Sequence, residues 1–200
     1  MVERLALVRL NPFMTSSPNL NPVQSAYRTA HSTEMALIKV FNDVYENVDA
    51  RESTVIVALD ISVAFDIICH VKLLDRLRID FGVCGVALEW IASYLADRQQ
   101  YVKICQHSST TRKLDSGVPQ GSLLGPMLFT AYVAPVGNVI TSMGLKHHQY
   151  ADDTQLYFAV QASHYKDDLN IIEKCTSSVQ DWFLIIDFLL NPTKSEVIAV

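Results

Sequence analysis

Thirty consecutive residues without a charged side chain, Ser116 to Leu145, constrain the fold of this chain more than any other feature. A segment this apolar must be buried, either in a protein core or in a membrane. It contains three prolines and five glycines. These residues interrupt the run of about 20 apolar positions that a membrane-spanning helix needs. We therefore interpret it as a buried loop followed by a helix from about Leu123 to Met143.

The composition is typical of a folded intracellular domain. The chain has 200 residues, of which 50% are hydrophobic and 18% charged, enough apolar surface for one core. Four cysteines without Cys-x-x-Cys spacing and no secretory signal predict reduced thiols, no membrane partner and an intracellular location in cytoplasm and nucleus. A net charge of −5 excludes a generally basic nucleic-acid-binding protein, so such binding needs a local basic face. The basic residues in the middle of the chain are Lys103, Arg112, Lys113 and Lys146.

The order of the apolar patterns predicts an α+β fold. Helical spacing covers residues 1–10, 33–47, 66–81, 86–97, 123–143 and 163–184. Strand patterns cover residues 54–59, 100–106, 109–114, 147–151, 154–160 and 195–200. The helix at 33–47 follows Ser32, a candidate N-cap. Its recurring apolar positions are Met35, Leu37, Ile38, Phe41, Val44 and Tyr45. The run at 54–59 is apolar throughout, which is typical of a central strand. Strands mixed with long connecting helices, with one hairpin, indicate an α+β sheet covered by helices.

Three carboxylates stand next to predicted strands. Asp60 directly follows the central strand, and Asp152 and Asp153 occupy the turn between two later strands. Like charges beside an apolar sheet are costly unless a cation neutralises them, and carboxylate oxygens suit magnesium. A two-metal site for phosphoryl transfer is one interpretation. The alternative, that Asp60 begins a helix and the other two form a solvated turn, is equally compatible with the spacing.

The loop from Gly117 to Ser122 has the properties of a ligand-binding loop. Its glycines allow the backbone to approach a ligand closely, and the Gln120 amide can donate and accept hydrogen bonds. The loop also precedes the N-terminus of a predicted helix, which favours anions. An ordinary connecting loop is the alternative.

Several segments together resemble a known family. The segments 57–66, 116–126 and 149–155 strongly resemble motifs A, B and C of reverse transcriptases, in the family's order. The segment 24–34 is similar to the fingers-to-palm segment of the non-LTR (LINE-type) retrotransposon branch, and 190–196 is similar to its motif D. The resemblance covers nearly the whole chain, and five ordered motifs make a chance match improbable.

This resemblance implies a polymerase palm, a split βαβ fold with an RRM-like antiparallel sheet backed by helices. Residues 1–50 would be a partial fingers segment and residues 51–200 the palm with motifs A to D, with the thumb absent. The implied function is that of an RNA-directed DNA polymerase, which uses an RNA template, a DNA primer, deoxynucleoside triphosphates and Mg²⁺, with Mn²⁺ as a possible substitute. Its chemistry would be two-metal nucleotidyl transfer to the primer 3′-hydroxyl.

The resemblance also limits what we expect of this chain. The family's triphosphate-binding fingers residues would precede residue 1 and its thumb would follow residue 200, so we interpret the chain as a fragment. We expect residues 1–200 alone to polymerise poorly or not at all. The alternatives are a catalytically inactive, truncated remnant of such an element and a palm-like nucleic-acid-binding module.

The resemblance assigns roles to seven residues. The catalytic, metal-binding residues would be Asp60, Asp152 and Asp153. The substrate-binding residues would be Phe65, Gln120, Gly121 and Lys194. Phe65 would exclude a sugar 2′-hydroxyl, the group that distinguishes ribonucleotides from deoxyribonucleotides; a core aromatic is its alternative. Gln120 and Gly121 would line the nascent base pair and template. Lys194 would lie near the leaving pyrophosphate, with an ordinary surface lysine as the alternative.

Two positions depart from the family pattern. The family usually continues motif A with Asp-x-Ile-Asp-His, whereas this chain reads Asp-Ile-Ile-Cys-His over residues 66–70 and so lacks one acidic residue. The family usually has an asparagine near the position of Ile186, and this chain has none there. Both departures are compatible with an active enzyme and with decay of this copy.

Overall fold

A four-stranded antiparallel sheet organises the fold in the computed structural model, which describes residues 2–200. The helices are α1 (Val2–Thr15), α2 (Thr33–Asp49), α3 (His70–Ile79), α4 (Gly85–Leu95), α5 (Gly125–Val133), α6 (Val136–Ser142) and α7 (Tyr165–Ile185). The strands are β1 (Ser53–Leu59), β2 (Arg98–Gln100), β3 (Lys103–Ile104), β4 (His107–Ser108), β5 (Arg112–Leu114), β6 (Lys146–Tyr150), β7 (Asp153–Val160) and β8 (Glu196–Ala199). The predicted α+β class is confirmed.

Strand β1 is central, as its uniformly apolar sequence predicts. The strand order is β6-β7-β1-β8, and β1 pairs antiparallel with both β7 and β8. Alternate side chains of a strand point to opposite faces, and Val55, Val57 and Leu59 all point into the main core. The other segments predicted as strands near the C-terminal half, β6, β7 and β8, lie within two residues of the expected positions.

The charge-free segment forms the centre of the protein core. Leu124, Leu128, Phe129 and Tyr132 are completely buried behind the sheet, together with residues of α7. The single helix predicted over residues 123–143 is wrong, because α5 and α6 are separated at Pro135. Proline has no N–H and its ring clashes with the carbonyl four residues earlier, so it interrupts a helix. No helix within residues 2–200 is long and apolar enough to cross a membrane.

The opposite face of the sheet carries α2, and here the predicted apolar face is wrong. Ser32 caps α2 as expected and accepts a hydrogen bond from the Met35 N–H. However, Leu37, Phe41 and Tyr45 are exposed, and the buried residues of α2 are Ala36, Val40, Asp43 and Val44. The Asp43 carboxylate binds Lys146 and Tyr157 of the sheet, so the inward face of α2 combines a polar contact with small and β-branched apolar residues.

The remaining differences are in element boundaries. Helix α1 continues through Pro12 to Thr15, because Met14 is buried in the core and anchors the last turn; Met1 lies outside the described residues. Helix α3 begins at His70 instead of residue 66, since residues 65–68 form backbone hydrogen bonds with the loop at 117–118. The predicted hairpin at 100–114 is present as two short ladders, β2–β5 and β3–β4. All four cysteines are free thiols.

Candidate active site

The register of the sheet brings the three predicted carboxylates to one edge. Strands β1 and β7 are antiparallel, and Leu59 pairs with Thr154. The residue after Leu59 is Asp60, and the residue before Thr154 is Asp153, so these two aspartates are neighbours across the end of the ladder. Asp152 is the second residue of the two-residue turn between β6 and β7, and Asp153 is the first residue of β7 and pairs with Tyr150. Two segments almost a hundred residues apart in sequence therefore place their acidic residues side by side.

The electrostatics of this edge favour a bound cation. Burial, together with the negative charges of Asp152 and Asp60, raises the pKa of Asp153, whereas the charge of Lys194 lowers it. The Lys194 ammonium is 3.9 Å from the nearer Asp60 oxygen, and its side chain is 68% exposed. One solvated lysine near three carboxylates leaves excess negative charge, which a divalent cation would compensate.

The donor set fits Mg²⁺ better than a metal held entirely by protein. Within residues 2–200, no three His, Cys, Asp or Glu side chains form a complete metal-binding cluster. Mg²⁺ does not require one, since it keeps several waters and is often held by one or two carboxylates together with substrate phosphates. The hard oxygens of Asp60 and Asp152, both half-buried, suit that mode of binding.

An open cleft collects most of the predicted site residues. Its empty volume is about 830 Å³, and its lining includes Asp60, Phe65, Gln120, Asp152 and Lys194. Two predicted residues do not line it. Asp153 borders a separate groove between the β6–β7 hairpin and α2. Gly121 is exposed beside the cleft, in a turn with a positive φ of 75°.

Phe65 combines the two interpretations that the sequence left open. Its ring stacks on Phe129 of the core, with ring centroids 4.6 Å apart and an angle of 26° between the planes. The side chain is half-buried and also lines the cleft. Phe65 is thus held rigidly by the core while it borders the space beside Asp60.

The loop at 116–122 is fixed against the segment that follows Phe65. The Gly117 N–H donates to the Ile68 carbonyl at 2.8 Å, and the His70 ring nitrogen Nε2 lies 2.7 Å from the Gly117 carbonyl oxygen. Gly117 has a φ of 82°, and a Cβ there would lie 2.6 Å from the Asp66 carbonyl oxygen, so only glycine fits. The Gln120 amide donates to the Asp66 carboxylate at 3.1 Å, which holds it in the cleft.

The cleft also contains residues to which the sequence assigned no role. Asp66, Ser62 and Asn191 line it, and the Asn191 N–H donates to the Asp60 carbonyl at 2.8 Å. This bond fixes the end of β1 and with it the position of Asp60. The Asn-Pro pair that begins this segment is a turn signature, and the Asn191 side chain accepts hydrogen bonds from Thr193, as such turns do. That signature was the available signal for Asn191.

The basic face is smaller than the sequence indicates. Lys103 and Arg112 are exposed on the hairpin. Lys113 pairs with Asp115 at 3.1 Å. Lys146 pairs with the buried Asp43 at 2.8 Å, which compensates its charge, and its contact with nucleic acid stays a prediction. Asp43, which compensates the charge of Lys146, is about a hundred residues away in sequence, so a local count of charges does not detect this pair.

A helix-backed antiparallel sheet with carboxylates at one edge defines the class of protein as a polymerase palm. The chain belongs to the reverse transcriptase (RNA-dependent DNA polymerase) family, whose sequence profile matches residues 1–199. This confirms the resemblance stated from the motifs.

Relatives from fruit flies support the retrotransposon branch. A probable RNA-directed DNA polymerase from transposon BS of Drosophila melanogaster is 33% identical over 132 residues, which cover 66% of this chain and 14% of that protein. The RNA-directed DNA polymerase from mobile element jockey of the same species is 30% identical over 159 residues, covering 77% of this chain and 17% of that protein. The matched regions thus span less than a fifth of those relatives.

Solved telomerase structures share the fold. An apo telomerase from Candida tropicalis, truncated from the C-terminal domain, matches all of this chain and 40% of its own, with a TM-score of 0.67 at 14% sequence identity. A second apo telomerase structure from the same species has a TM-score of 0.68 at 13% identity, over 98% of this chain and 36% of its own. At this identity the likeness concerns the fold alone.

Proposed function

We propose that this chain is the palm, residues 51–200, with part of the fingers, residues 1–50, of a retrotransposon RNA-directed DNA polymerase. The observation that carries the proposal is the meeting of Asp60 with Asp152 and Asp153 at one edge of the sheet, since phosphoryl transfer with two metal ions needs carboxylates from separate segments to converge. The reaction is addition of a deoxynucleotide to the 3′-hydroxyl of a DNA primer, directed by an RNA template.

Asp60, Asp152 and Asp153 are the residues that would hold Mg²⁺ or Mn²⁺. When bound, such ions would lower the pKa of the attacking hydroxyl and stabilise the negative charge on the phosphoryl group during its transfer. The Asn191 bond to the Asp60 backbone keeps that carboxylate in place. The excess negative charge at the site supports this assignment, because it is costly without a cation.

The other cleft residues are suited to the incoming nucleotide. The rigid ring of Phe65 would collide with a 2′-hydroxyl and so select deoxyribonucleotides. Gln120, held by Asp66, and the exposed Gly121 would contact the base pair and the template. Lys194 would neutralise charge on the departing pyrophosphate; its exposed ammonium can move from Asp60 to a phosphate oxygen.

The test combines metal binding with polymerisation by residues 1–200. Millimolar Mg²⁺ or Mn²⁺ should raise the melting temperature of the parent protein, because only the folded state brings the carboxylates together. Weak, metal-dependent primer extension on an RNA template should accompany it. Asp152→Asn should lose both responses.

Asp181→Asn is the matched control, because Asp181 is an exposed aspartate of α7 outside the cleft. It should behave as the parent. A metal response that persists in Asp152→Asn would contradict the ligand assignment. Extension that persists in Asp152→Asn would contradict the assignment of the activity to this site.

A further inference from the structure

One buried glutamine satisfies both backbone polar groups of the residue that precedes Asp152. The Gln24 side chain is 2% exposed. Its Oε1 accepts a hydrogen bond from the Ala151 N–H at 3.0 Å, and its Nε2 donates to the Ala151 carbonyl, also at 3.0 Å. The same Oε1 accepts from the Ala26 N–H at 3.0 Å, which fixes the plane of the amide. The side-chain amide of Gln24 therefore forms two hydrogen bonds with the backbone of Ala151, in the turn between β6 and β7.

Ala151, the residue bound by the Gln24 side chain, has an unfavourable backbone conformation. Ala151 has a φ of 55°, in the left-handed region that residues with a Cβ atom rarely adopt. It is the first residue of the two-residue turn, and Asp152 is the second. Relaxation of Ala151 to a common conformation would rotate the following peptide and move the Asp152 carboxylate. The hydrogen bonds from Gln24 oppose that relaxation.

Hydrogen bonds of the residues on either side of Gln24 hold its backbone next to the turn. The Gln149 N–H donates to the Val23 carbonyl at 3.1 Å, and the Ser25 N–H donates to the Gln149 carbonyl at 3.0 Å. Residues 23–25 thus cover the edge of β6 just before the turn. With both flanking residues fixed, the Gln24 side chain has little freedom to lie elsewhere.

We propose that Gln24 is a positioning residue that holds Ala151 in its left-handed conformation and thereby directs Asp152 into the carboxylate cleft. Gln24 is not among the seven residues assigned to the site. The inference rests on the proposed metal-dependent polymerase function. Glutamine suits this role because its amide both donates and accepts. Glutamate has the same length but only accepts, and methionine fills similar space without either function.

The first measurement is hydrogen exchange of the Ala151 amide, which depends on neither metal nor activity. In Gln24→Met this amide should exchange at least about tenfold faster than in the parent, because its acceptor is lost. In Gln24→Glu it should stay protected, since the acceptor is kept. Gln161→Met is the matched control, because Gln161 is an exposed glutamine just beyond the other end of β7.

The second measurement is Mn²⁺ binding, followed by electron paramagnetic resonance of the free ion, with urea unfolding to show that each variant is folded. Gln24→Met should bind Mn²⁺ about tenfold more weakly than the parent, and the control should change by less than about twofold. Adding Ala151→Gly to Gln24→Met should recover part of the affinity, because glycine adopts a positive φ without the steric cost of a Cβ atom. A glutamine that only stabilised the fold would not be rescued in this way.

Unchanged Ala151 exchange in Gln24→Met, or unchanged Mn²⁺ affinity despite faster exchange, overturns the proposal. A parent protein that binds no Mn²⁺, or an Asp152→Asn variant that binds it equally well, instead overturns the proposed metal site. The exchange measurement still decides in that case whether Gln24 holds the turn, so the two failures are distinguishable.

Discussion

Replacing Asp43 with asparagine should lower the free energy of unfolding by about 2 kcal/mol at pH 7. The Asp43 side chain is 2% exposed and accepts hydrogen bonds from Lys146 at 2.8 Å, Lys39 at 2.7 Å and the Tyr157 hydroxyl at 2.6 Å. Burial by itself raises the pKa of this carboxyl, but the three donors outweigh burial and lower the pKa from 3.8 to about 2. A difference of roughly 2 pKa units, at about 1.36 kcal/mol each, gives the expected loss.

The pH dependence identifies the cause of this loss. Because the pKa of Asp43 is lower in the folded than in the unfolded protein, its stabilisation is complete above about pH 4 and is lost as the pH falls through 2. Urea unfolding of the parent and of Asp43→Asn should therefore differ by about 2 kcal/mol at pH 7 but by only about 1 kcal/mol at pH 3.

Glu46→Gln is the control for the Asp43 prediction. Glu46 also pairs with Lys146, at 3.4 Å, but its side chain is 59% exposed. Exposed ion pairs contribute little, so this change should cost less than about 0.5 kcal/mol. Equal stabilities of the parent and Asp43→Asn at pH 7, or a difference that does not shrink at pH 3, would refute the reasoning.

Three further predictions concern the site and its support. Burial lowers the pKa of His147 from 6.5 to about 4, so its contribution to stability should fall by about 2 kcal/mol between pH 7 and pH 5. Urea unfolding should show a smaller fall in His147→Gln than in the parent; some fall remains, because burial also lowers the pKa of His148. In a longer chain that also carries fingers and thumb, Phe65→Ala should increase the ratio of ribonucleotide to deoxyribonucleotide incorporation, and an unchanged ratio in that active protein would make Phe65 a core residue only. Loss of the stacking on Phe129 should also lower the melting temperature of residues 1–200. Gly117→Ala should lower the free energy of unfolding by more than about 1 kcal/mol in urea, because the added Cβ meets the Asp66 carbonyl. Gly144→Ala is the control: it has the same φ but no atom near the added Cβ, so it should show only the smaller cost of backbone strain.

Much of the candidate site could be predicted from sequence because its signals are local. Asp60 follows an unbroken apolar strand, and Asp152 and Asp153 fall between two alternating ones, so their positions at strand ends follow from the patterns. The family resemblance then identified which of these acidic residues belong together. Neither Asn191 nor Gln24 could be assigned in this way, since each acts through hydrogen bonds to the backbone of a residue distant in sequence.

The sequence by itself determined that residues 116–145 are buried in protein, that β1 is central and that the carboxylates stand at strand ends. These conclusions depend on composition and short-range periodicity, which act within a few residues. The break between α5 and α6 follows a local signal, Pro135. Only the tertiary structure decided which face of α2 turns inward. The inward face carries Asp43 beside Ala36, Val40 and Val44. The Asp43 partner Lys146 is about a hundred residues away, and such a long-range pair leaves no trace in the local pattern of the helix.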